Sequence, residues 1–339
     1  MDWTRGYTAG WQVMRVNPDT WADDGEVSGV SDISKSESRA DATSLLETAT
    51  LTVEGGVEAG WHRIYLVASQ GAPERFAVAT VNLAGTKRHV GLGETVEARG
   101  RSVLQPAADA RFASGAVTPA GADAAAWCAA QLAALTPAPV TSEGSFAFVE
   151  DYVHAPNSIV LTQVWKVLSA GGFCIRIAGD GSVSIGREPS APALELDRAH
   201  AGLLVPSVDV ECDLTGVPNR YTAVFPDGEQ VIAVNDDATS EVGRQARGWW
   251  VDAPVDSSPA PVNGESRQAY AERRLAELSV VKRTFRYQRD FWPGVGPYAL
   301  VRASLPGNGI EGDLRVVSAE TRRDVGAVVT EVAEMEVRV

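Results

Sequence analysis

The sequence predicts a mainly β protein with a helix-containing α/β insert near its middle. Three observations carry that reading. Short runs rich in β-branched and aromatic residues, set apart by Gly, Pro and Asp, recur toward both ends. Helical periodicity is confined to two stretches between about 106 and 170 and one near 263–278. An Asp-Gly turn separates two alternating runs directly after the second of these helices, a strong hairpin signal.

Taken in order, residues 1–105 form a first β domain. Val30–Ser36, Ala49–Val53, Arg63–Ala68, Arg75–Val81 and Thr95–Leu104 are its strands, and Gly71-Ala72-Pro73-Glu74 is a hairpin loop between two of them. Short strands at this spacing point to a barrel or a sandwich. Residues 106–200 form the insert. Thr118-Pro119 reads as an N-cap and N1 pair, followed by Cys128, Leu132 and Leu135 on one helical face. A second helix over 156–170 carries Leu161, Val164, Trp165 and Leu168 and stops at Gly171-Gly172. Phe173–Ala178 and Ser182–Arg187 then flank Gly179-Asp180-Gly181.

Residues 201–339 form a second β domain. Val208, Val210 and Cys212 alternate with acids, as in a strand with one wet face. Arg220–Phe225 and Gln230–Val234 flank Pro226-Asp227-Gly228. A long loop and one helix are inserted at about 235–280. Asn263 is placed to cap that helix, Glu265 suits its first turn, and Ala271, Leu275 and Leu278 form its face. Strands resume at Arg283–Phe291, Tyr298–Ala303, Leu314–Glu320 and Ala327–Val339.

Composition narrows the function classes. The chain has 339 residues, 44 acidic against 30 basic, and a net charge of -14. Such a chain does not attract phosphate backbones or anionic lipid surfaces. All basic residues but Lys35, Lys87, Lys166 and Lys282 are arginines, which fork onto carboxylates and suit specific polar interfaces. Cys128, Cys174 and Cys212 are widely separated and read as small buried hydrophobes in a reducing compartment, with neither disulfide nor zinc spacing. The first residues lack the apolar region of a secretory leader, and no run approaches the ~18 apolar residues of a membrane span.

The search for chemistry gives no catalytic, cofactor-binding or metal-binding residues. His62, His89, His154 and His200 each lack a second ligand at metal spacing. Gly307-x-Gly309-x-x-Gly312 matches a dinucleotide motif in form, but strand-like Leu314–Val317 follows where a helix is needed, so it reads as a turn. The doublets Asp23-Asp24 and Asp236-Asp237 read as solvated acids, at most a weak cation site. Nine tryptophans stand out. Trp249-Trp250, in a polar Pro-rich stretch, and Trp292 beside Pro293-Gly294 suit either a sugar platform or an interface anchor, and the interface is favoured.

Three segments carry a resemblance. Val30-Ser31-Asp32-Ile33-Ser34-Lys35-Ser36-Glu37, then Leu45–Val53, then Gly60-Trp61-His62-Arg63-Ile64-Tyr65 resemble the start of bacteriophage tail hub proteins of the long-tailed type. Gly100–Asp109 and Pro119–Asp123 look like the continuation, and the segment from Thr284 to Val339, with Pro306-Gly307, looks like their closing β domain. The resemblance covers most of the chain. It implies two tube-like β-barrel domains with helix-containing inserts, three copies of which make a pseudo-sixfold ring at the tail tip. The implied partners are a distal tail or tail tube protein, the tape measure protein and a tip fibre or spike protein, with DNA only in transit through the channel. The implied location is the virion tail tip, and the host cytoplasm during assembly. The implied role is structural, not enzymatic. A carbohydrate-binding β-sandwich of a receptor-binding tip is the alternative.

Overall fold

The computed structural model describes residues 1–39, 46–91, 94–148, 150–200, 204–261, 264–308, 310–323 and 328–338. It divides into a larger unit, Met1–Val208 with Arg286–Ala333, and a smaller one, Asp209–Phe285 with Glu334–Val339.

The larger unit opens with β1 (Thr8–Val16), β2 (Asp23–Glu26), β3 (Val30–Ser38), β4 (Glu47–Glu54), β5 (Gly60–Ser69), β6 (Pro73–Val90) and β7 (Glu94–Ser102). They pair antiparallel in the order β2-β1-β5-β6-β7-β4-β3. Alternation does the work: β4 buries Ala49, Leu51 and Val53 and turns the residues between them outward. Inward side chains from six strands, from Val13 on β1 to Ile33 on β3, share one core with Ile64, Val81 and Ala98. Among the described residues the hydrogen-bonded path ends at β2, so no closed barrel forms there. β1 and β2 went unread in the sequence.

The insert begins with α1 (Gln105–Asp109), β8 (Val117–Thr118), α2 (Ala124–Ala133), β9 (Val140–Ser142), β10 (Tyr152–Val153), α3 (Val160–Ala170), β11 (Phe173–Ile177) and β12 (Val183–Arg187). β11 and β12 form the expected Asp-Gly hairpin, and β9 adds parallel to β12. Cys128 and Leu132 of α2, Leu161, Val164 and Leu168 of α3, and Ile175 and Ile185 of the hairpin make its core. Thr118 is not the cap of α2. It sits in β8, and Asp123 caps the helix by accepting from the Ala125 and Ala126 amides. A carboxylate at the N-cap also meets the positive end of the helix dipole, which a threonine hydroxyl does less well. α3 begins four residues later than the spacing suggests, after Asn157 takes a left-handed φ of 59°.

The tip of the hairpin is locked onto the sheet. Arg63 and Trp21 donate to the Asp180 carbonyl, and Thr80 donates to the Gly179 carbonyl at 2.9 Å. Gly179 lies so close to β6 that a Cβ there would fall 2.0 Å from the Ala77 carbonyl oxygen.

β13 (Pro192–Leu196) follows, and β14 (Leu204–Cys212) leads into the range of the smaller unit. Val210 on β14 is exposed, unlike the half-buried pattern its alternation suggests. The smaller unit has β15 (Arg220–Val224), β16 (Gln230–Val234), α4 (Arg244–Arg247), α5 (Arg267–Leu278) and the start of β17 (Val280–Asp290). β15 and β16 pair as a hairpin whose Tyr221, Ala223, Val231 and Ala233 pack on Tyr270, Ala271 and Leu275 of α5. Ser266 caps α5 by accepting from the Ala269 amide. The expected cap Asn263 lies outside the described residues, Glu265 precedes the cap, and Leu278 is partly exposed. The long loop is not featureless. Asn219, fully buried, donates to the Val242 and Trp249 carbonyls and accepts from the Val251 amide.

β18 (Leu300–Leu305), β19 (Ile310–Arg322) and β20 (Val328–Arg338) close the chain. β18 pairs the first half of β19 and β3 its last five residues. The turn between β18 and β19 holds Pro306–Asn308 as a short 3-10 segment, so Gly307 and Gly312 flank a strand connection; Gly309 lies outside the described residues. Ala327 and Val339, the ends of the last expected strand, also lie outside them.

Candidate functional site

The larger unit holds a cavity of about 520 Å³ with a charged wall. Strand periodicity builds that wall. Lys35 and Glu37, two apart on β3, share a face, and the β3–β4 register sets Glu47 directly opposite Glu37. Like charges so placed repel. Lys35 resolves the conflict, its Nζ lying 2.9 Å from Glu37 Oε2 and 3.4 Å from Glu47 Oε1 while donating to the Val78 carbonyl at 2.7 Å. Lys35 and Glu47 are buried, and Glu47 Oε2 has no hydrogen-bond partner. Phe291, Trp292 and Arg176 line the same space.

Burial pushes the Glu47 carboxyl up to about 7, against the pull of the Lys35 ammonium. A carboxyl raised on folding takes up a proton as the chain folds. Its contribution is complete below the ordinary value of 4.5 and is lost as pH climbs through about 7. Urea midpoints should therefore show stability falling by up to about 3 kcal/mol across that window. Glu47→Gln should flatten the fall; identical slopes in the two proteins would refute this.

A second charged pair lies deeper. Arg289 on β17 and Glu331 on β20 are almost fully buried, with Arg289 Nη2 donating to Glu331 Oε1 at 2.5 Å. Arg289 also donates to the Asp290 and Val295 carbonyls.

The residues singled out in the sequence do not converge. His62 is buried with Nδ1 3.0 Å from the Gly60 carbonyl. His154 bonds Thr118 Oγ1 and stacks on Phe112 and Trp127. His200 bonds Asp197, and His89 lies on the exposed end of β6. Among the described residues no three His, Cys, Asp or Glu side chains gather around a common point. The Asp23 carboxylate is taken by Arg63 and the Tyr65 hydroxyl, and Asp237 accepts from the Thr239 amide and hydroxyl. Cys128 and Cys174 are buried, and burial pushes their thiols up to about 12 and about 11, far from nucleophilic. Trp249 is 62% exposed, whereas the Trp250 ring has the Arg220 and Arg244 guanidinium groups over it at 5.4 and 5.2 Å.

One surface feature was missed in the sequence. β5 pairs with β6 only as far as Leu83. Beyond it, residues 84–90 project exposed, paired with β7 alone among the described strands, Lys87 opposite Glu97 and Val90 opposite Glu94. A strand edge left open in this way is a template for pairing with another chain.

No protein-family model matches the sequence, and no curated protein does. Solved structures do. A tail protein from Neisseria meningitidis MC58 superposes over 97% of this chain and 96% of its own, with a TM-score of 0.60 at 13% identity. The 43 kDa tail protein of prophage MuSo2 from Shewanella oneidensis covers 97% and 98%, with a TM-score of 0.61 at 12% identity. The chain has the fold of phage tail proteins. The tail-protein fold extends to a chain of the Francisella PdpA-VgrG complex, matched over 97% of this chain and 58% of that one, with a TM-score of 0.56 at 6% identity. Within this tail-protein fold no described helix is long and apolar enough to cross a membrane.

Proposed function

We propose that the protein is a structural tail hub, a homotrimer forming a pseudo-sixfold ring at the tail tip. On this reading it joins the sixfold tail tube or distal tail protein to threefold tip fibre or spike proteins, meets the tape measure protein and lines the channel through which DNA passes. Residues 1–105 and 201–339 are read as tube-like β domains that close into rings between subunits, with 106–200 as the α/β insert between them. The observation that carries this reading is the end-to-end match with two tail proteins, near-complete on both sides of each comparison. The open edge at 84–90 supports it, because a ring satisfies such edges by pairing across subunits. A channel that passes DNA must not grip it, and the net charge of -14 suits that need. The work is done by interfaces, without catalysis, in the virion and, before assembly, in the host cytoplasm.

Replacing residues 89–95 by Asn-Gly closes the hairpin between Arg88 and Val96. The shortened chain should melt within a few degrees of the parent but enter tail particles at least tenfold less, as read by quantitative mass spectrometry of purified particles. Unchanged incorporation would remove the tip of that edge, beyond Arg88, from the interface, and a cryo-EM map without a threefold ring of this chain would end the hub reading. The alternative, a carbohydrate-binding module of a receptor-binding tip, calls for Trp249 and Trp250 exposed side by side; Trp249 is exposed, but two guanidinium groups lie over the Trp250 ring. Binding to a glycan array that is lost in Trp249→Ala would establish it instead.

A further inference from the structure

Two strands of this chain have an edge without a partner, and the two edges differ in charge. Beyond the end of β5, residues 84–90 of β6 pair with β7 alone among the described strands. β14 ends the hydrogen-bonded path of the large sheet beside β17, so its other edge has no partner among the described strands. Neither strand covers its own side chains. Every residue from Ala84 to Val90 is exposed, and Val90 is 85% exposed. On β14 no described side chain is buried, although Leu204, Val205, Val208 and Val210 are apolar. A strand of β-branched residues that buries none of them has a face still to cover.

Charge decides what each edge accepts. Residues 84–90 carry Lys87, Arg88 and His89 and no acid, in a chain of net charge -14. β14 carries Asp209 and Glu211 and no base. Among the described residues Lys87, Asp209 and Glu211 form no ion pair. Glu97, opposite Lys87 on β7, is taken by Arg99, and Arg88 reaches Glu94 at 3.5 Å with both side chains exposed, a weak pair. Two β6 edges brought together would set Lys87 and Arg88 against their own kind, and two β14 edges would do the same with Asp209 and Glu211. Like charges directly opposite repel. One edge of each kind is the combination that charge allows.

Resting on the hub reading, we propose that residues 86–90 of β6 pair with β14 of a second copy, with Lys87 and His89 facing Asp209 and Glu211. Alternation makes the match independent of strand direction. With Arg88 opposite Val210, residues 87 and 89 lie opposite 209 and 211 on one face whether the strands run parallel or antiparallel. The Arg88 stem then covers Val210, which is 50% exposed in the single chain. Such a joint is head-to-tail, since each copy gives one edge and offers the other. A contact of that kind generates a ring when the rotation closes, where a twofold contact stops at a dimer. The opposite charges of the two edges thus select ring closure over pairing of like with like.

The test uses purified tail particles. Zero-length carbodiimide coupling joins a lysine amine to a carboxylate in contact with it and needs no substitution. Cross-linked species of two and three chains should yield a peptide joining Lys87 to Asp209 or Glu211. Asp209→Lys with Glu211→Lys should enter particles at least tenfold less than the parent, because like charges then face each other. Adding Lys87→Glu with His89→Glu should restore incorporation to within about twofold. Multi-chain species without the Lys87 link, or an acid-edge reversal that incorporates like the parent, overturn the joint. If those species still contain three chains, the hub reading stands without it; species that stop at two chains end both.

Discussion

Arg289→Met is expected to destabilise the larger unit by about 3–5 kcal/mol, because it strands the Glu331 carboxylate in a place without water. The pair is held by burial on both sides, 1% and 0% exposed, and by donation from Arg289 to two main-chain carbonyls. Removing one charge leaves the full desolvation cost of the other, whereas removing both removes that cost altogether. The double variant Arg289→Met with Glu331→Leu should therefore recover most of the loss. Equilibrium urea unfolding of the two single variants and the double reads this directly. A double variant as unstable as the singles added together would show that the ion pair is not what the strands are organised around.

Gly179→Ala should cost about 3 kcal/mol, the upper range of overpacking penalties, because the obstruction is backbone. The added Cβ would meet the Ala77 carbonyl oxygen at 2.0 Å and its carbon at 2.4 Å, and neither can rotate away as a side chain could. Relief requires lifting the hairpin turn off β6, and with it the bonds from Arg63, Trp21 and Thr80. At about 2–4 °C per kcal/mol for a domain of this size, the melting temperature should fall by roughly 6–12 °C. Gly91→Ala, at a position where a Cβ meets nothing within 4 Å, is the matched control and should be near neutral. Equal melting temperatures for the two variants would show that the hairpin is not seated as described.

What was legible in the sequence followed from local signals. Gly179-Asp180-Gly181 announced its hairpin because turn chemistry and strand alternation are both local. That the same turn docks on Arg63 and Thr80, 117 and 99 residues away respectively, was not legible, since it depends on how two elements meet. The buried charges were hidden for the same reason. Glu37 faces Glu47 only once the β3–β4 register is known, and Arg289 finds Glu331 42 residues later. Thr118-Pro119 misled because it is a good capping pair by type, and the contest with Asp123 was decided by β8 pairing with β10. β1 was invisible because only Val13 and Val16 of its nine residues are buried. The overall reading survived these misses, since the alternation of most strands and the stripes of the three long helices are independent statements about the same layout.

The buried amide of Asn219 has a consequence for how this surface can change. One side chain fastens the main chain at residues 242, 249 and 251. The path of that loop is thereby fixed through carbonyls and an amide, which every residue type but proline supplies. Outward-facing positions such as Trp249 contribute little to holding the shape and can be exchanged wholesale. A region wired in this manner lets a lineage rewrite what it touches while leaving the scaffold underneath undisturbed.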